Sequence, residues 1–191
     1  MTRRWLALFL CALSAPLWAA PGTWSFAVSV DGRPVGTHRF VLRDTQDGQE
    51  LQSDAQFEVR VLRIALLRYR HHATEVWQNR CLRSLHSQTQ TNGRQQQVSA
   101  QYTDCPMSFA YWNPDVLQAH QLINSQSGVR TAVSVQDLGL QSLRVRGSRQ
   151  LAHHYLLSGP ELAIDLWYTG RDWVGLDSIT AGGHRLHYEL L

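Results

Sequence analysis

The amino-acid sequence predicts a mainly β protein: an antiparallel meander of about eleven strands that forms a curved half-barrel or an up-and-down barrel, with one short helix. Apolar and polar residues alternate over most of the chain, which is the period of half-buried strands. Short turns separate consecutive strand patterns and favour antiparallel neighbours. About eleven strands in one domain must also curl to bury their apolar face. Whether the barrel closes is expected to depend on pairing of the first and last strands.

The first twenty residues have the layout of a secretory signal. Arg3 and Arg4 precede an apolar stretch at 5–13, and Ala19 and Ala20 end the segment. The apolar stretch is too short to span a bilayer. We therefore expect residues 1–20 to contain a cleaved signal peptide, with cleavage after Ala19 preferred, and residues 21–191 to form a single periplasmic β domain. The alternative, a buried N-terminal helix, fits the flanking charges less well.

The charge of the mature domain argues against nucleic acid as a partner. The signal segment contains two arginines and no acid, so its removal lowers the formal charge from +3 to +1. Non-specific binding to nucleic acid needs a concentrated basic face, which a near-neutral domain of this composition does not supply.

The N-terminal half carries the clearest strand patterns. Asp31-Gly32 and Asp47-Gly48 are typical turn pairs, and they separate stretches in which apolar residues recur at every second position. The strands of this half are predicted at 24–30, around 38–42, at 51–61 and at 69–77.

A hairpin follows, and it contains the two cysteines of the mature chain. Asn92-Gly93 is the strongest hairpin turn signal in the sequence. It predicts strands at 82–91 and 94–102, in a register that pairs residues whose numbers sum to 185. Cys81 and Cys105 then lie nearly opposite each other at the base of the hairpin. In an oxidising compartment we expect them to form a structural disulfide.

The C-terminal half begins irregularly and then returns to strands. Asn113 followed by Pro114 is typical of a helix start and predicts a short helix over residues 114–122. We expect this helix to cover the open side of the sheet. The remaining strands are predicted at 129–135, 140–146, 150–157, 161–168, 173–179 and 184–190.

Several sequence runs resemble a family of secreted bacterial proteins that is described as a domain of unknown function. The runs are Glu75-Val76-Trp77, the stretch from Met107 to Asn113 (M-S-F-A-Y-W-N), Leu122-Ile123-Asn124, and Ile164 to Tyr168 (I-D-L-W-Y) followed by Trp173. The resemblance implies no activity and no catalytic residue. The layout of a meander with a covering helix is also similar to the half-barrel periplasmic carriers of lipoproteins and lipids.

The histidines do not have the spacing of a metal site. Ligands on one strand must share a face and recur at every second residue. His71-His72 and His153-His154 are adjacent pairs that point to opposite faces. We therefore predict neither a metal nor a cofactor.

Two carboxylates are candidates for catalysis, although no nucleophile motif accompanies them. Glu75 and Asp165 lie within predicted strands near tryptophans. A carboxylate in an apolar interior has a raised pKa and can serve as an acid or base, with a histidine such as His154 as its partner. The alternative, which we favour, is that each accepts ordinary hydrogen bonds, and no residue is assigned as catalytic.

Aromatic residues suggest a pocket for a hydrophobic ligand. Indole and phenol rings line such pockets, and they also fill cores. The predicted ligand-binding set is Trp77, Tyr111, Trp112, Asp165, Trp167, Tyr168 and Trp173. Within it, the Tyr111-Trp112 pair is the one most expected at the entrance of a pocket.

The stretch of residues 60–70 interleaves leucines with arginines and departs from strand alternation. A basic, apolar loop of this kind can contact an anionic membrane surface transiently, or it can be an ordinary corner between strands. The residues predicted to touch a membrane are Leu62, Arg63, Ile64, Leu66, Leu67 and Arg68.

These observations favour a non-enzymatic periplasmic protein that binds a lipid or another hydrophobic small molecule in a curved-sheet cavity. An enzyme that uses a buried carboxylate and a histidine on an envelope metabolite is the first alternative. A structural or assembly partner in the envelope with a filled core is the second.

Overall fold

The computed structural model describes residues 21–61, 64–180 and 182–191. The predicted signal peptide lies outside the described residues. The strands are β1 Gly22–Val30, β2 Arg33–Thr45, β3 Gly48–Val61, β4 Ile64–Gln78, β5 Cys81–Thr91, β6 Arg94–Gln101, β7 Gln121–Ile123, β8 Arg130–Ala132, β9 Ser134–Val145, β10 Ser148–Gly159, β11 Leu162–Thr169, β12 Asp172–Ile179 and β13 Arg185–Leu190.

Eleven of these strands form one antiparallel sheet in the order β6-β5-β4-β3-β2-β1-β13-β12-β11-β10-β9, and β7 pairs only with β8. The prediction of a mainly β, antiparallel half-barrel is confirmed. The first and last strands do pair, with Phe26 opposite Leu190, yet the sheet stays open. Pairing of the chain ends therefore does not decide closure, because the opening lies between the edge strands β6 and β9.

The β5–β6 hairpin has the predicted register, which runs from Ser84 opposite Gln101 to Thr91 opposite Arg94. Its turn residues both have positive φ, 50° at Asn92 and 86° at Gly93, as a tight hairpin turn requires. The predicted disulfide between Cys81 and Cys105 is present, with a Cα–Cα distance of 4.5 Å. It holds the chain that leaves β6 against the start of β5.

Residues 102–133 connect β6 to β9, and we call them the covering segment. The predicted helix at 114–122 is too long: the structure has a 3₁₀ helix at Pro114–Gln118 only. Asn113 caps it as predicted, since its Oδ1 accepts from the Asp115 N–H at 3.1 Å. The helix stops early because the next residues pair with β8, where they bury Leu122 completely.

The separate strands predicted at 129–135 and 140–146 are also corrected. The structure has the short β8 and then the long β9, with a break at the buried Val133. The tip of the β9–β10 hairpin reaches the end of β13, where the Arg146 N–H donates to the Leu190 carbonyl at 3.0 Å. There a side chain at Gly175 would meet Leu143, whose Cδ2 lies 2.8 Å from an added Cβ.

The two faces of the large sheet differ in polarity over β1–β4. We call the concave side, against which the covering segment packs, the inner face, and the opposite side the outer face. A cluster of aromatic rings packs on the inner face. Phe26 and Trp173 lie 4.3 Å apart between ring centroids, and Phe40 packs edge-on to both.

Candidate functional site

A cavity of about 430 Å³ lies between the inner face and the covering segment. Its walls come from β2–β4 on one side and from β11–β13 on the other, and the covering segment forms its roof. The side chains along the walls are mainly apolar. Those on the strands include Phe57, Leu67, Ile164, Leu176 and Leu186.

Three of the predicted ligand-binding residues line this cavity: Tyr111, Trp112 and Trp173. Two others support it from behind. Trp77 packs edge-to-face against Trp112, with 5.4 Å between ring centroids. The Tyr168 hydroxyl donates to the Tyr111 carbonyl at 2.7 Å, which fixes the roof to β11.

The remaining two predicted ligand-binding residues lie elsewhere. Asp165 and Trp167 alternate with the inward-facing Leu166 and therefore point to the outer face. There His154 stacks on Trp167, with 4.6 Å between ring centroids, and its Nε2 lies 2.7 Å from Asp165 Oδ1. The predicted set is thus divided by the sheet, and His154 and Glu75 lie on opposite faces.

The structure adds polar residues that were not among the predicted site residues. His38 lines the cavity, with Nε2 at 2.8 Å from Ser53 Oγ and Nδ1 at 3.2 Å from the Tyr188 hydroxyl. Burial, together with the proximity of His71, lowers the pKa of His38 to about 3. The signal in the sequence was a histidine at the same period as the buried Phe40 and Leu42.

His71 also lines the cavity and is 5% exposed. Its Nδ1 lies 2.8 Å from Thr89 Oγ1, and its Nε2 lies 3.4 Å from Ser125 Oγ in the covering segment. Burial lowers its pKa to about 4, and the neighbouring His72 acts in the same direction while Asp54 opposes it. Both cavity histidines are therefore neutral at pH 7.

Glu75, flagged in the sequence, lines the cavity near its tryptophan-rich end and is 5% exposed. Its Oε2 accepts from Trp77 Nε1 at 3.0 Å and from Ser108 Oγ at 2.9 Å. Burial raises its pKa to about 7, although both hydrogen bonds act in the opposite direction. The carboxyl group therefore changes its protonation state close to neutral pH.

A second polar cluster, which was not predicted, lies on the outer face across β12 and β13. Asp177 is 4% exposed and accepts hydrogen bonds from Arg185 and His187. Burial alone would raise the pKa of Asp177, but these two donors outweigh it and hold the pKa below its usual range. The same contact raises the pKa of His187.

The stretch predicted to contact a membrane lies partly outside the described residues, which exclude Leu62, Arg63 and the side chain of Ile64. Of the others, Leu67 lines the cavity and Leu66 is 58% exposed. Arg68 is exposed, and its Nε lies 3.3 Å from Glu58 Oε1. Contact with a membrane stays a prediction.

In the part of the chain that the structure describes, no group of three or more His, Cys, Asp or Glu side chains is arranged to hold a metal ion. The described residues also contain no helix with the length and apolar character needed to cross a membrane.

Comparisons with known proteins agree with this fold. The model of a family described as "Domain of unknown function (DUF6134)" matches residues 26–191. A similar solved structure is the crystal structure of a beta-barrel-like protein of domain of unknown function DUF1849 from Brucella abortus. Its TM-score is 0.65, with 7% sequence identity over 90% of this chain and 95% of that chain. The comparison with curated proteins gave no match.

Proposed function

The chain belongs to the DUF6134 family, and we propose that it is a non-enzymatic periplasmic carrier that holds a lipid or another hydrophobic ligand in the cavity. The observation that carries this proposal is the cavity itself, about 430 Å³ between the inner face and the covering segment. Ligand pockets have volumes of about 300–1,000 Å³, mainly apolar walls and a few placed polar groups. This cavity has all three features.

The arrangement of the polar groups favours binding over catalysis. Glu75 is the one carboxylate among the described lining residues, and its Oε2 is held by Trp77 and Ser108. The carboxylate–histidine pair suggested by the sequence, Asp165 with His154, lies on the outer face, and neither residue lines this cavity. A buried acid without a positioned partner and nucleophile does not define a reaction.

Two features support the proposed location. The signal-like segment at residues 1–20 predicts export, and the Cys81–Cys105 disulfide is of the kind that persists in oxidising compartments. A periplasmic carrier would exchange its ligand at a membrane. Transient membrane contact through the exposed Leu66, next to the cavity-lining Leu67, is part of this proposal.

The first test is mass spectrometry of organic extracts from the full-length protein, exported in bacteria and purified without detergent. A carrier is expected to yield a lipid or apolar metabolite in stoichiometric amount that is absent from a control protein prepared alongside. A clean extract from well-folded protein that also takes up no apolar probe would contradict the proposal and favour the structural partner.

The second test fills the cavity. Ala55 is buried and lines the cavity between the two histidines, whereas the next residue, Gln56, is exposed on the outer face. We expect Ala55→Phe to abolish uptake of a fluorescent fatty-acid probe, because the added ring occupies the ligand volume. Gln56→Phe is the matched control and should bind as the unmodified protein does. Equal binding by both variants would exclude the cavity as the binding site.

A further inference from the structure

The tryptophan-rich end of the cavity combines one carboxylate with several aromatic rings. Both hydrogen bonds to the Glu75 carboxylate reach Oε2, from Trp77 and Ser108. Among the described residues, none donates a hydrogen bond to Oε1. The buried carboxylate thus keeps one oxygen available on a wall of the ligand cavity.

Among the described residues, no permanently cationic side chain lines the cavity to compensate the charge of this carboxylate. The described residues that line the cavity include no arginine, and the sequence contains no lysine. The two lining histidines, His38 and His71, are neutral at pH 7, because burial lowers their pKa values. A buried negative charge is stabilised by a nearby positive charge. In this cavity a ligand would have to supply that charge.

The aromatic rings suit the same kind of ligand. Phe109, Tyr111 and Trp112 line the cavity together with Glu75, and Trp77, which donates to Glu75, packs edge-to-face on Trp112. A cation over the face of an aromatic ring is attracted by the ring quadrupole, and aromatic cages recognise ammonium groups in this way. A carboxylate in a cavity that is also lined by aromatic rings is therefore chemistry that can recognise an ammonium group.

We propose that the ligand is a cationic amphiphile whose ammonium group lies against Glu75 and the surrounding aromatic rings, with its apolar body along the apolar walls of the cavity. This inference rests on the proposed carrier function and specifies the class of ligand. Burial raises the pKa of Glu75 to about 7 in the unliganded protein, and a bound cation would favour the ionised carboxylate.

The experiment compares three ligands with the same apolar chain: dodecylammonium, dodecanol and dodecanoate. Binding to the oxidised, delipidated protein is measured by calorimetry at about pH 8, where Glu75 is mainly ionised and the amine is protonated. We expect dodecylammonium to bind at least about tenfold more tightly than dodecanol, and dodecanoate to bind most weakly. A tenfold difference corresponds to about 1.4 kcal/mol, a typical value for one charge interaction in a partly desolvated site.

Glu75→Gln keeps the size of the side chain and removes its charge. We expect this variant to lose the preference and to bind dodecylammonium no more tightly than it binds dodecanol. The comparison of ligands on the unmodified protein decides the question even if the variant does not fold. Equal binding of the amine and the alcohol, tightest binding of dodecanoate, or a preference that survives in Glu75→Gln would overturn the inference.

The outcomes separate this inference from the carrier proposal. If all three ligands bind with equal affinity, the carrier proposal stands and the ammonium site is wrong. If none of them binds, both proposals are wrong.

Discussion

Two buried polar clusters lie on opposite faces of one sheet and differ in how their charges are matched. On the outer face, Asp177 is paired with Arg185 and His187, and the pKa of Asp177 is held below its usual range. In the cavity, burial raises the pKa of Glu75 and lowers that of His71, so it disfavours the charged form of both. The outer cluster therefore stabilises the fold in its charged form, whereas the cavity groups reduce stability when they ionise.

This difference suggests what each cluster is for. Polar groups that lower stability persist in proteins mainly where function needs them. The outer cluster joins neighbouring strands and requires no ligand, while the cavity groups line the space where we propose that a ligand binds. The following predictions change one cluster at a time and begin with the largest expected effect.

Glu75→Gln should change how stability depends on pH. In the unmodified protein, folded Glu75 keeps its proton up to about pH 7, whereas the unfolded chain releases it near the ordinary pKa of 4.5. The folded state therefore binds more protons in this window, and the free energy of unfolding falls by about 3 kcal/mol as the pH rises through it. In the Glu75→Gln variant, urea titrations between pH 4.5 and about pH 7 should not show this fall in the free energy of unfolding. An unchanged pH profile would show that the carboxyl group is not desolvated.

His71→Gln should have the opposite effect in nearly the same window. The pKa of His71 is lowered from 6.5 to about 4, so below 6.5 the unfolded chain binds more protons than the folded protein. His71 therefore lowers the free energy of unfolding by about 3 kcal/mol as the pH falls from 6.5 to 4. The His71→Gln variant should not lose this part of the free energy of unfolding as the pH falls from 6.5 to about 4. Relative to the unmodified protein, the two substitutions should therefore shift the pH dependence of the free energy of unfolding in opposite directions.

On the outer face, Asp177→Asn should destabilise the protein at every pH near neutrality. Asparagine has no negative charge, so Arg185 and His187 would lose the anion to which both donate hydrogen bonds at this buried position. Removing one member of a buried pair costs about 3–5 kcal/mol, but the Arg185 side chain is largely exposed to solvent, so we expect about 2 kcal/mol. Chemical denaturation measures this loss. Asp54→Asn, in the exposed pair with His72, is the matched control and should change stability little.

The smallest predicted effect concerns two exposed apolar residues that adjoin cavity-lining residues in the chain, Leu66 on β4 and Ile179 on β12, which we call the rim. Leu66 is 58% exposed, so Leu66→Ser should leave the free energy of unfolding nearly unchanged. If the rim touches membranes, the variant should sediment less with anionic phospholipid vesicles, by about two- to fivefold for one interfacial leucine. Ile179→Ser, an equally exposed residue on β12, tests whether the contact extends across the rim. Unchanged sedimentation of both variants would argue against membrane contact.

Strand periodicity and turn residues were enough to predict most of the fold. Asn92-Gly93 determined a register that the structure confirms, and a curled antiparallel sheet followed from the number of strands. The strand patterns did not decide between a half-barrel and a closed barrel. The covering segment was predicted less well, because its backbone has no repeating period and its helix is a single short turn. Its position depends on distant contacts such as the one from Ser108 to Glu75.

The sequence of β11 does not show which of its side chains point toward the cavity, and the reason is physical. Leu166 faces inward and Trp167 outward, yet both are buried, since the β9–β10 hairpin covers the outer face at this point. A strand that is covered on both sides has no polar face to mark its orientation. For this reason the sequence predicts Asp165 among the ligand-binding residues, although its side chain lies on the other side of the sheet from the cavity.

The pairing of β1 with β13 near the middle of the sheet has a mechanical consequence. It divides the sheet into two halves, each continuous in sequence, that meet along one seam opposite the opening between β6 and β9. A small change of twist along this seam would widen or narrow the space between the halves without breaking a strand pair. The half-barrel can thus adjust the width of its cavity. The covering segment, which is hydrogen-bonded to both halves, limits how far they separate.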